Sequence, residues 1–85
     1  MKWEELIGKP VCVIWKDPET IPGWVVDPEA EAYFPPIHSY GVLIKVSEEL
    51  ILVASTEARE HHQVADVGRY PIGCIIDIKE VLVDE

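Results

Sequence analysis

The sequence predicts a mainly β domain: a small, strongly bent, five-stranded antiparallel sheet, with a short helix before it and a long insertion between its first two strands. Three observations carry that prediction. Tyr40 to Ser55 contains two apolar runs around a polar break at Ser47-Glu48-Glu49, the pattern of a β-hairpin. Val11 to Trp15 is a further apolar run of strand length, Ile75 to Leu82 reads as the last strand with its alternation broken only at the start, and Tyr70-Pro71-Ile72 makes a fifth, short one. Asp17 to Ser39 holds Pro18, Pro22, Pro28, Pro35 and Pro36, too many fixed φ angles for regular structure throughout.

Taken in order, Met1 to Ile7 places Trp3, Leu6 and Ile7 at the spacing of one or two helical turns with one apolar face. Gly8 suits the position just past a helix end, and Pro10 prevents the helix from resuming, so the chain leaves extended into the first strand. Within the insertion, Asp27-Pro28 has the form of an N-cap followed by proline at the first helical position. Glu29 and Glu31 complement the positive end of that helix, and Pro35 limits it to about two turns. Trp24, Tyr33 and Phe34 are expected to anchor the insertion on the domain, the alternative being a docking surface.

In the hairpin, Tyr40, Val42, Ile44 and Val46 share one pleat face while Gly41, Leu43 and Lys45 take the other, and Ser47 to Glu49 is the only place to turn. Thr56 to Gly68, with Glu57, Arg59, Glu60, His61, His62, Gln63 and Asp66, has the composition of a solvated connection, with room for a helical turn. Gly73-Cys74 forms a tight corner before the last strand. Pro71 lacks an N–H, so it must stand at a strand end or turn its nitrogen away from the ladder.

Eighty-five residues make room for one domain and one modest core. Hydrophobic residues form 48% of the chain, more than such a core uses, and the surplus points to a partner subunit. Seven Lys and Arg against 16 Asp and Glu give a net charge of −9, which repels nucleic-acid backbones and anionic lipid. Cys12 and Cys74 lie in or beside apolar runs, the setting of small hydrophobes rather than ligands. No run has the length of a signal-peptide core or a membrane span, so the expected setting is cytoplasmic and reducing.

Catalytic patterns are weak. His61-His62, near Glu57, Glu60 and Asp66, is the one cluster that resembles a metal site, but adjacent histidines point to different sides of a helix or strand and no further ligand stands at zinc spacing. His38-Ser39 has the makings of a base and a nucleophile without an elbow or an orienting acid. Glu48-Glu49 and Glu29 with Glu31 suit a turn tip and a helix start, and the dispersed glycines form no phosphate loop. The expectation is a non-enzymatic protein with no cofactor and no metal.

The order of elements resembles the Sm-like family, small SH3-like barrels of an N-terminal helix and five bent strands that assemble into rings. Leu6-Ile7-Gly8-Lys9-Pro10-Val11-Cys12-Val13 resembles the family's helix end and first strand. Tyr40-Gly41-Val42-Leu43 resembles the start of its first motif, where glycine permits sharp curvature, and Ile72-Gly73 with Ile75, Ile76 and Ile78 resembles its second. Together they cover roughly half the chain, and the pattern is similar to that of a divergent, phage-type branch.

The resemblance implies a cyclic homo-oligomer with Ser47, Glu48, Glu49, Gly73 and Cys74 near the pore and Tyr70, Ile72, Ile75 and Ile76 at the subunit interface. RNA-binding members carry an aspartate and an asparagine in the turn after the second strand and an arginine before the last glycine. Here those places read Ser47-Glu48-Glu49-Leu50-Ile51 and Ile72-Gly73, so the nucleotide pocket is missing. The implied function is a ring-forming binding or scaffold module whose acidic pore favours basic protein segments or metal cations. The alternatives are an RNA-binding ring that uses another surface, and a small metal-dependent protein centred on His61-His62.

Overall fold

The computed structural model describes residues 2–17, 24 and 35–82. A 3-10 helix, Lys2–Leu6, leads into five strands: β1 (Pro10–Trp15), β2 (Ile37–Val46), β3 (Leu50–Ala58), β4 (Gln63–Pro71) and β5 (Ile75–Glu80). They form one antiparallel sheet in the order β4-β3-β2-β1-β5. The proposed helix at Asp27-Pro28 and the aromatics Tyr33 and Phe34 lie outside the described residues. Trp24 is fully exposed and so packs against none of the described residues, contrary to its expected anchoring role.

The connection between β4 and β5 fixes the shape of the sheet. These strands are its two edges, which in a flat sheet would lie about 19 Å apart, four spacings of roughly 4.8 Å. Only Ile72–Cys74, a single 3-10 turn, joins them. Four Cα steps reach at most about 14 Å when fully extended, and a 3-10 turn reaches less. The sheet must therefore curl until its edges approach, and Trp15 of β1 meets Tyr70 of β4 edge to face across the curl, with ring centroids 5.5 Å apart. The curl stops short of closure, because β4 and β5 do not pair with each other. The expected barrel is thus a bent, open sheet.

At Gly41 the backbone of β2 lies close against β3. A Cβ on it would lie 2.6 Å from the carbonyl oxygen of Ala54 and 2.7 Å from Cγ1 of Val53, so only glycine lets β2 approach β3 this closely. Two residues on, the β2–β3 register shifts between Leu43 and Lys45. That bulge breaks the simple alternation expected for the hairpin: Leu43 is wholly buried and Val46 also packs on the core. Gly8 takes φ +87°, which ends the 3-10 helix as expected of a glycine there. Its N–H donates to the Leu43 carbonyl at 2.7 Å, and the Lys9 carbonyl accepts from the Leu43 N–H at 3.1 Å, tying the helix end to β2.

Inside the curl, Val11 and Val13 of β1, Leu43 of β2, Ile51 and Val53 of β3 and Ile78 of β5 form the buried core. Trp3, Leu6, Trp15, Val46, Tyr70, Ile72 and Ile75 pack around it. Each fully buried Val, Leu or Ile contributes roughly 1.5–3 kcal/mol, so the strands that hold these residues carry the stability of the domain.

The segment from Thr56 to Gly68 is solvated and holds a helical turn, as expected, but its flanks are strands rather than loop. β3 runs on to Ala58 and β4 returns from Gln63, so the two form a long hairpin whose tip is a 3-10 turn over Arg59–His61. His62 takes φ +52° and closes that tip, and Asp66 takes φ +54° on the returning arm. Histidine and aspartate are among the residues that tolerate the left-handed region. At the kink, Ser55 Oγ donates to the Asp66 carbonyl at 3.3 Å and Thr56 Oγ1 to the Asp66 carboxylate at 3.2 Å. β4 is consequently nine residues long rather than three, and Pro71 is its last residue, paired with Leu50 where no further ladder bond is needed.

Candidate functional site

Two turns meet at one pole of the sheet. In the β2–β3 turn, neither Glu48 nor Glu49 adopts a positive φ, so this is not a primed hairpin turn. The Ser47 side chain organises it instead. Its Oγ accepts from the N–H of Glu49 at 3.3 Å and of Leu50 at 3.2 Å, and donates to the Leu50 carbonyl at 3.0 Å. Both glutamates are left exposed. The Ile72 N–H donates to the Glu49 carbonyl at 2.9 Å, and the Cys74 carbonyl accepts from the Lys16 N–H at 2.8 Å. Ser47, Glu48 and Glu49 are thereby joined to the Ile72–Cys74 corner, and Gly73 is exposed with nothing within 4 Å of the Cβ it lacks. Cys74 is half-buried and, like Cys12, a free thiol.

The four residues assigned to a subunit contact divide by exposure. Tyr70, Ile72 and Ile75 pack on the core from the edge strands and the corner between them, whereas Ile76 is 51% exposed on β5. On the opposite edge, Val64 and Val67 of β4 are 44% and 43% exposed. None of the nine residues of β4 is buried. Exposed apolar side chains therefore stand on both unpaired edges, and the signal that identifies Val64 and Val67 as strand residues, β-branching on either side of Asp66, is faint in so polar a stretch.

An open groove of about 530 Å³ lies elsewhere, lined by Pro10, Tyr40, Val42, Ala54 and Val81 and rimmed by Glu57, Arg59 and Glu60. Arg59 Nε sits 3.4 Å from Glu57 Oε1, a largely exposed pair of little energetic weight.

The histidine readings change once the register is known. Ser39 and His38 are not brought together, since the Ser39 hydroxyl accepts the Trp15 indole N–H at 2.9 Å and neighbouring strand residues face opposite sides. His38 instead turns towards Cys12. His61 and His62 sit exposed at the hairpin tip, and among the described residues no three His, Cys, Asp or Glu side chains converge as a metal site. No helix among the described residues is long and apolar enough to cross a membrane. No family model, curated protein or solved structure matches this chain.

Proposed function

We propose that the chain is a non-enzymatic binding or scaffold module that assembles into a cyclic homo-oligomer of the Sm-like type. One observation carries this: the sheet order leaves β4 and β5 unpaired at the two edges, curled towards each other, each bearing exposed apolar side chains. Open edges of this length attract further strands, and natural proteins cover them. When β4 of one copy pairs with β5 of the next, the contact is head to tail, and a constant rotation between copies closes it into a ring. Val64, Val67 and Ile76 then meet at the seam, backed by Tyr70, Ile72 and Ile75.

In this assembly the pole formed by Ser47, Glu48, Glu49, Gly73 and Cys74 faces the axis and repeats two carboxylates per copy around it. Such a ring of like charge attracts basic protein segments and repels phosphate. Light scattering on the purified chain at micromolar concentration tests the assembly: one mass equal to a fixed multiple of 9.6 kDa is expected, and a monodisperse monomer overturns it. Labelled single-stranded RNA is expected not to bind at physiological salt. RNA binding that weakens steeply as salt rises would move the reading to a nucleic-acid ring.

A further inference from the structure

The free edges of the sheet are not equally open along their length, and the ladder register shows where. On the β5 side, the Val81 N–H donates to the Pro10 carbonyl at 2.9 Å. From there the pairing runs without a shift, Val11 opposite Glu80, Cys12 opposite Lys79, Val13 opposite Ile78 and Ile14 opposite Asp77. Bonded and non-bonded pairs alternate along an antiparallel ladder. Lys79 and Asp77 therefore turn their N–H groups to β1, as Val81 does, while Glu80 and Ile78 turn theirs to the free edge.

One of those outward donors is already taken. The Ile78 N–H donates to Oδ1 of Asp77 at 2.8 Å. Ile78 is buried in the core, so the neighbouring Asp77 projects from the outer face and brings its carboxylate round to the edge. Asp77 is half-buried, and among the described residues no Lys or Arg is paired with it. Aspartate makes local bonds of this kind in competition with a ladder, and here the bond holds a donor that a further strand would need. The β4 edge is reduced differently. The Ile72 N–H donates to the Glu49 carbonyl at 2.9 Å, and the next pair is Leu50 with Pro71, so the Pro71 nitrogen faces outwards, where it carries no proton. That loss is permanent, whereas the Asp77 bond can open.

We propose that Asp77 is a self-cap on the β5 edge, which must release the Ile78 N–H before β4 of a second copy can pair there. Resting on the ring assembly proposed above, this cap regulates it: in the free chain the carboxylate satisfies the edge donor, and in the assembly a carbonyl of the neighbouring copy takes its place. The competition weakens each seam and keeps assembly reversible.

The intact chain and its Asp77→Ala and Asp77→Asn variants are compared by light scattering across a dilution series. Alanine removes the acceptor, whereas asparagine removes the charge and keeps an oxygen in reach of the Ile78 N–H. Asp77→Ala is expected to assemble at a concentration about two- to tenfold below that of the native chain, the range that one hydrogen bond freed from competition gives. Asp77→Asn is expected to stay close to native. In the dissociated chain, the Ile78 amide proton should lie downfield and respond weakly to temperature in the native and Asp77→Asn proteins, and move upfield in Asp77→Ala. The native spectrum decides on the cap even if Asp77→Ala unfolds. Assembly of the native and Asp77→Ala chains at one concentration overturns the proposal and leaves the ring intact. So does equal strengthening by both variants, which marks relief of charge repulsion, and so does a native Ile78 amide proton with the temperature response of a group bonded to water. Monomers of every variant overturn the ring, and the proposal with it.

Discussion

β1 and β4 each carry two valines and live under opposite conditions. In β1, Val11 and Val13 are wholly buried and both ladder sides are occupied. In β4, eight of the nine residues pair with β3, and none of the nine is buried. A strand flanked on both sides and packed over a core draws its stability from its own chain. An edge strand with valines in water has that stability available only from another chain. The difference separates substitutions that damage the fold from those that damage assembly, and each prediction below tests it.

The largest effect is expected in the centre. Leu43→Ala removes a side chain with no solvent exposure and should destabilise the domain by about 2–5 kcal/mol in chemical denaturation, a large share of the total for so small a core. Val67→Lys, on the edge, should leave the unfolding midpoint of the dissociated chain within about 0.5 kcal/mol while abolishing the high-mass species in light scattering. A Val67→Lys chain that unfolds outright, or one that assembles normally, breaks the contrast.

The glycines sharpen it. Gly41→Ala forces a Cβ against the Ala54 backbone and should destabilise by about 1–3 kcal/mol. Gly73→Ala meets nothing within its own chain, so the isolated chain should be unchanged or more stable by about 0.4–1 kcal/mol. A loss of assembly in Gly73→Ala without loss of fold would show that a neighbouring copy approaches the corner. A smaller step follows for Ser47→Ala, which deletes the oxygen that gathers the β2–β3 turn and should lower stability by about 1 kcal/mol in thermal unfolding.

The smallest effect is electrostatic. The folded state holds the Tyr40 proton more tightly than the unfolded chain does, so its contribution is complete below the ordinary phenol value of 10.0 and is lost as pH rises past it. Difference absorbance during alkaline titration should show one tyrosine ionising late, and Cys12→Ala should bring it back towards the ordinary value.

What was legible in the sequence follows the same division. β1, the Ser47–Glu49 turn, the Gly8 stop, the Gly41 bend and Pro71 at a strand end were readable, because burial and φ restrictions leave local marks. The arms of the β3–β4 hairpin were not. Glu57, Arg59, Glu60, His61, His62 and Gln63 are polar on both faces, so the alternation that marks a strand is absent, and its pairing comes from β3 alone. The approach of His38 to Cys12 was equally hidden. It arises from the β1–β2 register, set across more than twenty intervening residues, and adjacency in the chain favoured Ser39.

The most direct test of the central claim is amide hydrogen exchange along β4 and β5, measured across a dilution series that spans dissociation. The account predicts that Val64 to Arg69 and Ile75 to Lys79 are protected when concentrated and lose that protection on dilution, while Val11, Val13 and Leu43 stay slow throughout. Edge amides that exchange at one rate across the whole series would contradict it.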